Sequence, residues 1–481
     1  MALRNTRRTA LAASLLVSPA VVAQELEIAQ VLEPIPDRFS SFGADMDAEG
    51  DTLAIGDPTY ATQFGHPPPL PYHGRVYLFD RGLNGRWNQS QILTVSEETT
   101  FDQFGIGLEL DDNLLVIAGE VPSTSTSSLR SFTRGVGTGW AEVAETQLDF
   151  GFIHRFFLES GTLVVEAVEE SINPAIRVFD WVDGAGWTPA PAPPGLDDQD
   201  VEIRAFDGAS LWVINNNRNR SSLSSMLVFD RDQSGVWTQR PEFIDPRDQD
   251  NPIWLSRSIV TDDGILSPIY NDGVYAYGIT PITYAGSDWS IERSVEPAFA
   301  AHTRIDFTGF AEFGPLIAAT SGSRAFVAGE SWPGNQYQTR GVHEFHADPA
   351  RGLVPGRYLE IPNHGSFAPG SWIFQRGLHT TGDQLFVAVD EVRPAASLGI
   401  PGPFETVNHG IVLVANTDQF EDPCPADFAF PIDTLDLADI SRFVQAFTGE
   451  YGVRADLAPP FGVYDTADLT AFIDAFLTGC D

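Results

Sequence analysis

The chain has 481 residues, a formal charge of −38 and no lysine. A field of that sign repels nucleic acid and anionic lipid, so neither is expected as a partner. Without lysine there is no P-loop phosphate chemistry and no Schiff base. Its 43 glycines and 34 prolines indicate a fold built on turns.

Arg4, Arg7 and Arg8 precede an apolar stretch from Leu11 to Val22, and Val21-Val22-Ala23 offers small residues for cleavage. This is the pattern of a secretory signal peptide over residues 1–23. The stretch is too short to span a bilayer, and no second run of about eighteen apolar residues follows. A secreted or surface-attached chain is expected, not an integral membrane protein. Arg7-Arg8 leaves the general and twin-arginine export routes both open.

From Leu26 the chain reads as short strands. Leu26 to Leu32 stands alone. Phe42-Gly43 then opens a longer unit: a turn at Asp47 to Asp51, the run Leu53-Ala54-Ile55-Gly56, a proline-rich loop, Gly74 to Arg81, and a turn before Trp87. Runs of β-branched and aromatic residues bounded by Gly, Asp, Asn or Pro predict strands. None has a helical period. The unit recurs from Phe104-Gly105, with Leu114 to Gly119, Leu129 to Phe132 and Trp140. Weaker copies lead to Trp187, Trp237 and Trp289. Phe313-Gly314 opens a sixth, with Ala325 to Gly329 and Val342 to Phe345, and Gln384 to Val389 with Gly410 to Val414 makes a seventh.

An all-strand period of about fifty residues is the mark of propeller blades, which hide their faces by packing radially. The seventh copy lacks a last strand, and Leu26 to Leu32 stands where one belongs. The expected fold class is therefore all-β: a seven-bladed β-propeller over residues 24–416, closed by the N-terminal strand.

The Phe-Gly openings and the glycine after the second strand resemble FG-GAP repeats, the blades of integrin α-type propellers. Some members of that family hold calcium on an Asp/Asn-rich loop. Asp45, Asp47, Glu49 and Asp51 fall in the corresponding region of the first copy alone and lack the regular cage. Acidic residues in a solvated hairpin turn are the expectation there.

Connections between second and third strands are long, and in a propeller they share one face. Several carry rings: Tyr60, Phe64, Tyr72, Trp332, Tyr337 and Phe404. Such rings either pack the loops together, which is the preferred expectation, or stack on a glycan or peptide. Catalytic motifs are weak. His343 and His346 sit on a predicted strand, three apart, and lack the helical spacing of a zinc motif. Paired carboxylates for glycosidic cleavage cannot be picked from so many acids.

After the polar linker 417–423 the pattern changes. Asp427, Asp433, Asp436 and Asp439 lead into Ile440, Phe443, Val444 and Phe447; 29 positions later Asp456, Asp465 and Asp468 lead into Leu469, Phe472, Ile473 and Phe476. Each apolar set falls at i, i+3, i+4, i+7, so each acidic loop feeds an amphipathic helix. The two stripes are expected to bury each other. Cys424 and Cys480 bracket the pair, and a disulfide between them would stabilise the module by about 4 kcal/mol. This tandem resembles a dockerin, of the type ending in Gly-Cys known from exported proteins of planctomycete-like bacteria. The resemblance implies an EF-hand-like module over 424–481 that docks on a protein partner. It also implies calcium on Asp427, Asp433, Asp436, Asp439, Asp456, Asp465 and Asp468. The loops depart from the family: each is one residue longer, with Ala429, Pro431, Ala458 and Pro460 at ligand positions. Helix capping by Asp436 and Asp465, with Asp439 and Asp468 favoured by the helix dipole, is the competing expectation.

The expected function is an exported, non-catalytic scaffold, monomeric and attached through its tail. The alternatives are a dockerin-borne polysaccharide-degrading enzyme (a glycoside hydrolase or polysaccharide lyase) and a lectin or adhesion module.

Overall fold

The computed structural model describes residues 26–34, 40–58, 74–95, 103–121, 126–135, 139–148, 152–168, 175–196, 201–215, 225–244, 259–261, 264–271, 275–285, 288–291, 303–304, 318–321, 324–331, 339–348, 352–361, 375–394, 406–420, 426, 435, 437–448, 455, 457–458 and 465–478. The signal-peptide segment lies outside them, as do Cys424 and Cys480.

Among these residues the strands form seven small antiparallel sheets. After β1 (Ile28–Leu32), the first sheet holds β2 (Met46–Glu49), β3 (Thr52–Asp57), β4 (Arg75–Arg81) and β5 (Trp87–Thr94). The second holds β6 (Gly107–Asp111), β7 (Leu114–Val121), β8 (Thr126–Gly135) and β9 (Gly139–Leu148). The third holds β10 (Phe152–Glu159), β11 (Thr162–Val168), β12 (Ala175–Val182) and β13 (Gly186–Ala190). In the fourth, β14 (Val201–Phe206), β15 (Ser210–Asn215), β16 (Ser225–Arg231) and β17 (Trp237–Gln239) follow in order, and β18 (Phe243–Ile244) also pairs with β16. The fifth holds β19 (Ile259–Thr261), β20 (Gly264–Asn271), β21 (Tyr275–Ala285) and β22 (Asp288–Ile291). In the sixth, β23 (Thr303–Arg304) and β24 (Ala318–Ser321) both pair with β25 (Arg324–Ser331), which leads to β26 (Thr339–Asp348) and β27 (Gly352–Glu360). The seventh holds β28 (Gln375–Thr380), β29 (Gln384–Pro394) and β30 (Thr406–Asn416), and β1 is its fourth strand. The register sets Val31 against Leu413 and Leu32 against Val412.

Strand alternation explains the core. Side chains of one strand point to opposite faces of its sheet, so a middle strand feeds two neighbours at once. Leu53 and Ile55 pack with Phe386 and Val412 of the seventh sheet, while Ala54 packs with Leu115 and Ile117 of the second. Leu163 and Val165 meet the second sheet, and Val164 meets the fourth. Trp212 and Ile214 meet Ile265 and Ile282 of the fifth sheet, and Phe326 and Val342 of the sixth meet Leu385 and Val387 of the seventh. Contacts of β21 with β23 and of β19 with β24 join the fifth and sixth sheets. Middle strands are thus buried on both faces and read as unbroken apolar runs. Outer strands such as β5 are largely open to solvent, with Trp87 and Leu93 buried.

The Phe-Gly pair has a steric reason. Phe42 and Phe104 are fully buried at junctions between sheets. Gly43 and Gly105 follow with φ of +84° and +90°, a region that L side chains avoid. A Cβ on Gly43 would stand 2.8 Å from the Ala388 Cβ.

The indole N–H groups of Trp87, Trp187, Trp237 and Trp289 each reach back to the sheet before: to Gln384 Oε1 (2.8 Å), Ser131 Oγ (2.7 Å), Pro191 O (2.7 Å) and Pro241 O (2.7 Å). Four of the five recurring tryptophans at the start of a fourth strand are used in this way; the buried Trp140 Nε1 has no such partner.

After a 3-10 turn (Thr417–Phe420) come α1 (Leu437–Phe447) and α2 (Thr466–Thr478). Phe443 stacks on Phe472 with ring centroids 4.0 Å apart, and Phe447 and Phe476 pack beside them. The expected mutual burial of the stripes is only half right. Ile440, Val444, Leu469 and Ile473 stay 36% to 48% exposed, because the contact between the helices is built chiefly on their phenylalanines. Among the described residues no helix is long and apolar enough to cross a membrane.

Candidate functional site

The first-copy acids do not sit in a solvated turn. Met46–Glu49 is the inner strand of its sheet, and three carboxylates in and beside it reach the inner strand of the next. Asp45 Oδ2 accepts from Leu108 N at 2.8 Å, Asp47 Oδ2 accepts from Leu110 N at 2.7 Å, and Glu49 accepts from Asp112 N. Only Asp51 lies in the exposed turn. The ladder continues: Glu109 accepts from Leu158 N, and Asp111 Oδ2 accepts from Gly161 N at 2.7 Å. Inner strands expose a row of main-chain N–H groups to their neighbour, and side-chain oxygens at every second residue answer them. Crowding has an electrostatic cost. Desolvation, helped by Asp47 and opposed by the Leu108 N–H, pushes Asp45 up to about 7. Desolvation, then Asp47 and Asp45, raises Glu109 well above the usual carboxylate range. Glu49 and Glu159 are raised for the same leading reason.

A second cluster lies at the starts of β10 and β14. Glu166 of β11 is buried; its Oε1 meets His154 Nδ1 at 2.6 Å and its Oε2 accepts from Ile203 N at 2.7 Å. Arg155 Nη1 donates to Ile203 O at 3.1 Å, and its Nη2 pairs with Glu202 Oε1 at 2.9 Å. The other Glu202 oxygen pairs with Arg204 Nη2 at 2.6 Å. The Arg204 side chain is only 2% exposed, yet its Nε and Nη1 have no hydrogen-bond partner. Desolvation, then the charge of Arg155, lowers Arg204 to about 10.

Both inner strands carry an irregularity where this cluster forms. The β10–β11 register skips from Ile153 to Arg155, leaving out His154, and β14–β15 skips from Ile203 to Ala205, leaving out Arg204. A bulge turns one side chain off the regular alternation. In β28 the corresponding skip leaves out Arg376. The cluster also has a defined edge. Phe152 pairs with Val168 and Val201 with Asn215, the last residues of the second strands. It therefore sits where the chain departs toward the third strands.

Tyr60, Tyr72, Trp332, Tyr337 and Phe404 lie outside the described residues, as do Asp427, Asp433, Asp436 and Asp456. His343 lies on β26, as expected for a strand; it is buried, and burial pushes it down to about 3. In the tail, Asp465 Oδ1 accepts from Ala467 N at 2.6 Å and caps α2. Asp468 is fully buried. Its Oδ1 accepts from Leu457 N (2.7 Å) and Ala458 N (2.8 Å), and its Oδ2 accepts from Asp465 N (2.9 Å). The last bond is the return half of a capping box. Three N–H dipoles thus point at one carboxylate and stabilise its negative charge. Asp439, its counterpart in α1, is equally buried.

No family model matches the chain. No curated protein matches it either. Among solved structures it is similar to the periplasmic gluconolactonase of Pseudomonas aeruginosa (16% identity, TM-score 0.39, covering 65% of this chain and 83% of that one). It is also similar to a hypothetical selenium-binding protein from Sulfolobus tokodaii (11%, 0.41, 65% and 76%). A puromycin-hydrolysing peptidase of Mycobacterium tuberculosis matches at 12% and 0.39, over 76% of this chain and 52% of that one. At these values the likenesses say nothing about chemistry.

No sequence motif singles out His154, Arg155, Glu166, Glu202 or Arg204. One signal was present: Glu166 interrupts the run Leu163-Val164-Val165, and Arg204 follows Ile203 directly. A charge inside an apolar strand conflicts with its surroundings and marks a place to look.

Proposed function

We propose that the chain is an exported seven-bladed β-propeller, closed through β1 and β30, that serves as a non-catalytic binding scaffold. In this reading each sheet is one blade, and the C-terminal dockerin-like module attaches the scaffold to a cell-surface or extracellular protein. The observation that carries the binding role is the cluster of His154, Arg155, Glu166, Glu202 and Arg204. These side chains are locked by hydrogen bonds and gathered at the edge from which the long connections depart. Groups fixed in this way suit recognition. The corresponding connections of the first, sixth and seventh sheets bear Tyr60, Tyr72, Trp332, Tyr337 and Phe404 in sequence, rings suited to a glycan or peptide.

Attachment is supported by the exposed apolar residues of the tail: Leu437, Ile440 and Val444 on α1, and Leu469, Ile473 and Leu477 on α2. Calcium on the two acidic loops belongs to this reading as what the dockerin resemblance implies. The N-terminal charged and apolar pattern supports export. Glycan and peptide arrays probed with the full-length chain test the binding role; no hit on either would sink it. Surface retention of the chain, compared with an I440D/I473D double variant, tests the attachment.

The His154–Glu166 contact favours a second reading. A buried carboxylate orienting an imidazole is how a general base is built. A polysaccharide-degrading enzyme would release reducing ends or unsaturated sugar, and H154A would abolish that release.

A further inference from the structure

We infer that the starts of β10 and β14 form a binding site for a single carboxylate group, received by Arg204 and Arg155 with the His154 ring beside it. The inference rests on reading this edge as a binding surface and names what the surface takes.

Arg204 is the central observation. Its guanidinium is buried, one nitrogen is spent on Glu202, and two N–H-bearing nitrogens have no acceptor. Buried donors in folded proteins are almost always answered, and a charged donor left bare is costly. All four carboxylate oxygens of the cluster are already committed: those of Glu202 to Arg155 and to one nitrogen of Arg204, those of Glu166 to His154 and to Ile203 N. The missing acceptors must come from outside the cluster. The depressed value of Arg204 has the same origin, since its charge is desolvated beside Arg155.

Charge selects the ligand. Two guanidinium groups face two carboxylates, so these four groups sum to zero and add no net negative charge to repel one further anion. That balance suits a monoanion. A dianion such as sulfate would leave uncompensated negative charge, in a chain whose net charge is already −38. The bulges supply the geometry: each turns one residue, His154 or Arg204, out of strand alternation on adjacent sheets. The carboxylate belongs either to an acidic saccharide or to a small organic acid, and the probes separate the two.

The full-length chain is titrated by calorimetry with glucuronate, acetate, glucose and sulfate, while the His154 ring resonance, assigned with H154Q, is followed by NMR. Glucuronate and acetate are expected to bind and move that resonance; glucose and sulfate at the same concentration are not. Glucuronate binding well above acetate points to an acidic saccharide, and equal binding points to a small acid. R204M is expected to weaken glucuronate by about tenfold or more. Should R204M fail to fold, R155Q, at a less buried position, is expected to weaken it by about threefold or more. No heat and no His154 shift with either carboxylate at about 50 mM overturns the proposal. Undiminished binding by a folded R204M overturns it too. Equal binding of glucose and glucuronate overturns the carboxylate site while leaving the glycan-binding scaffold in place.

Discussion

Gln30 brackets the main chain of Trp87: its Oε1 accepts from Trp87 N at 2.9 Å and its Nε2 donates to Trp87 O at 2.7 Å. Gln91 does the same to Trp140, at 2.8 Å and 2.9 Å. Gln91 lies on β5, the outer strand of the first sheet, and Gln30 lies on β1. The two strands therefore play one part, each presenting a primary amide to the tryptophan of the following sheet. β1 is the outer strand of the seventh sheet although it comes first in the chain.

Q30A and Q91A are accordingly expected to cost similar amounts, about 1–2 kcal/mol each for two partly buried hydrogen bonds. Urea unfolding of the two variants measures this. Removing residues 26–32 goes further, because it bares the edge of β30; aggregation in light scattering is the expected result.

Stability depends on pH in two windows. Asp45 is raised to about 7 in the folded protein, so between the unfolded carboxylate value, about 4, and 7 the folded state holds the extra proton. Stability therefore falls as pH rises through that range. Glu49, Glu109 and Glu159 act in the same direction. Asp180 is lowered, chiefly by its hydrogen bonds to Arg231, so its contribution is lost as pH falls below the usual carboxylate value. A thermal midpoint highest at about pH 4, where the two windows meet, is expected. D45N keeps one acceptor oxygen and is expected to flatten the slope between pH 5 and pH 8; an unchanged slope would show that Asp45 carries none of it.

The third and fourth sheets are clamped by Arg231, which meets Asp180 at 2.8 Å and 2.9 Å and Thr162 Oγ1 at 2.7 Å. Arg134 forms the matching set with Asp80 and Thr52 between the first two sheets. The carboxylates are partly exposed, so solvent screening reduces the effect. R231M is expected to cost about 1–2 kcal/mol, and less in high salt. Denaturation with and without added salt checks both statements.

In the tail, D468A strips three main-chain N–H groups of their acceptor at once. A loss of about 2–4 kcal/mol and of the α2 signal in circular dichroism is expected. Chelation with EDTA is expected to leave α2 intact, since Asp465 and Asp468 already close its N-terminus. A large helical loss on chelation would give Asp468 the role of a metal ligand.

The sequence by itself determined the local and repeating features. Strand runs and turn glycines depend on neighbours along the chain, and their period, like that of the Phe-Gly pairs, shows as a period of residue types. The alternation of Leu53, Ala54 and Ile55 already required apolar surroundings on both sides. The second-helix cap at Asp465 was legible for the same reason, since a cap bonds to its own helix.

Tertiary structure alone decided which polar groups meet. Asp45 and Leu108 are sixty-three positions apart. Arg204 meets Arg155 and Glu202 only because two bulges step side chains out of register, and a bulge leaves no mark in composition. The half-exposed face of α1 and α2 departs from the expected mutual burial for a related reason: Phe and Ile both read as apolar, and only the packing of the two helices selects which of them is buried.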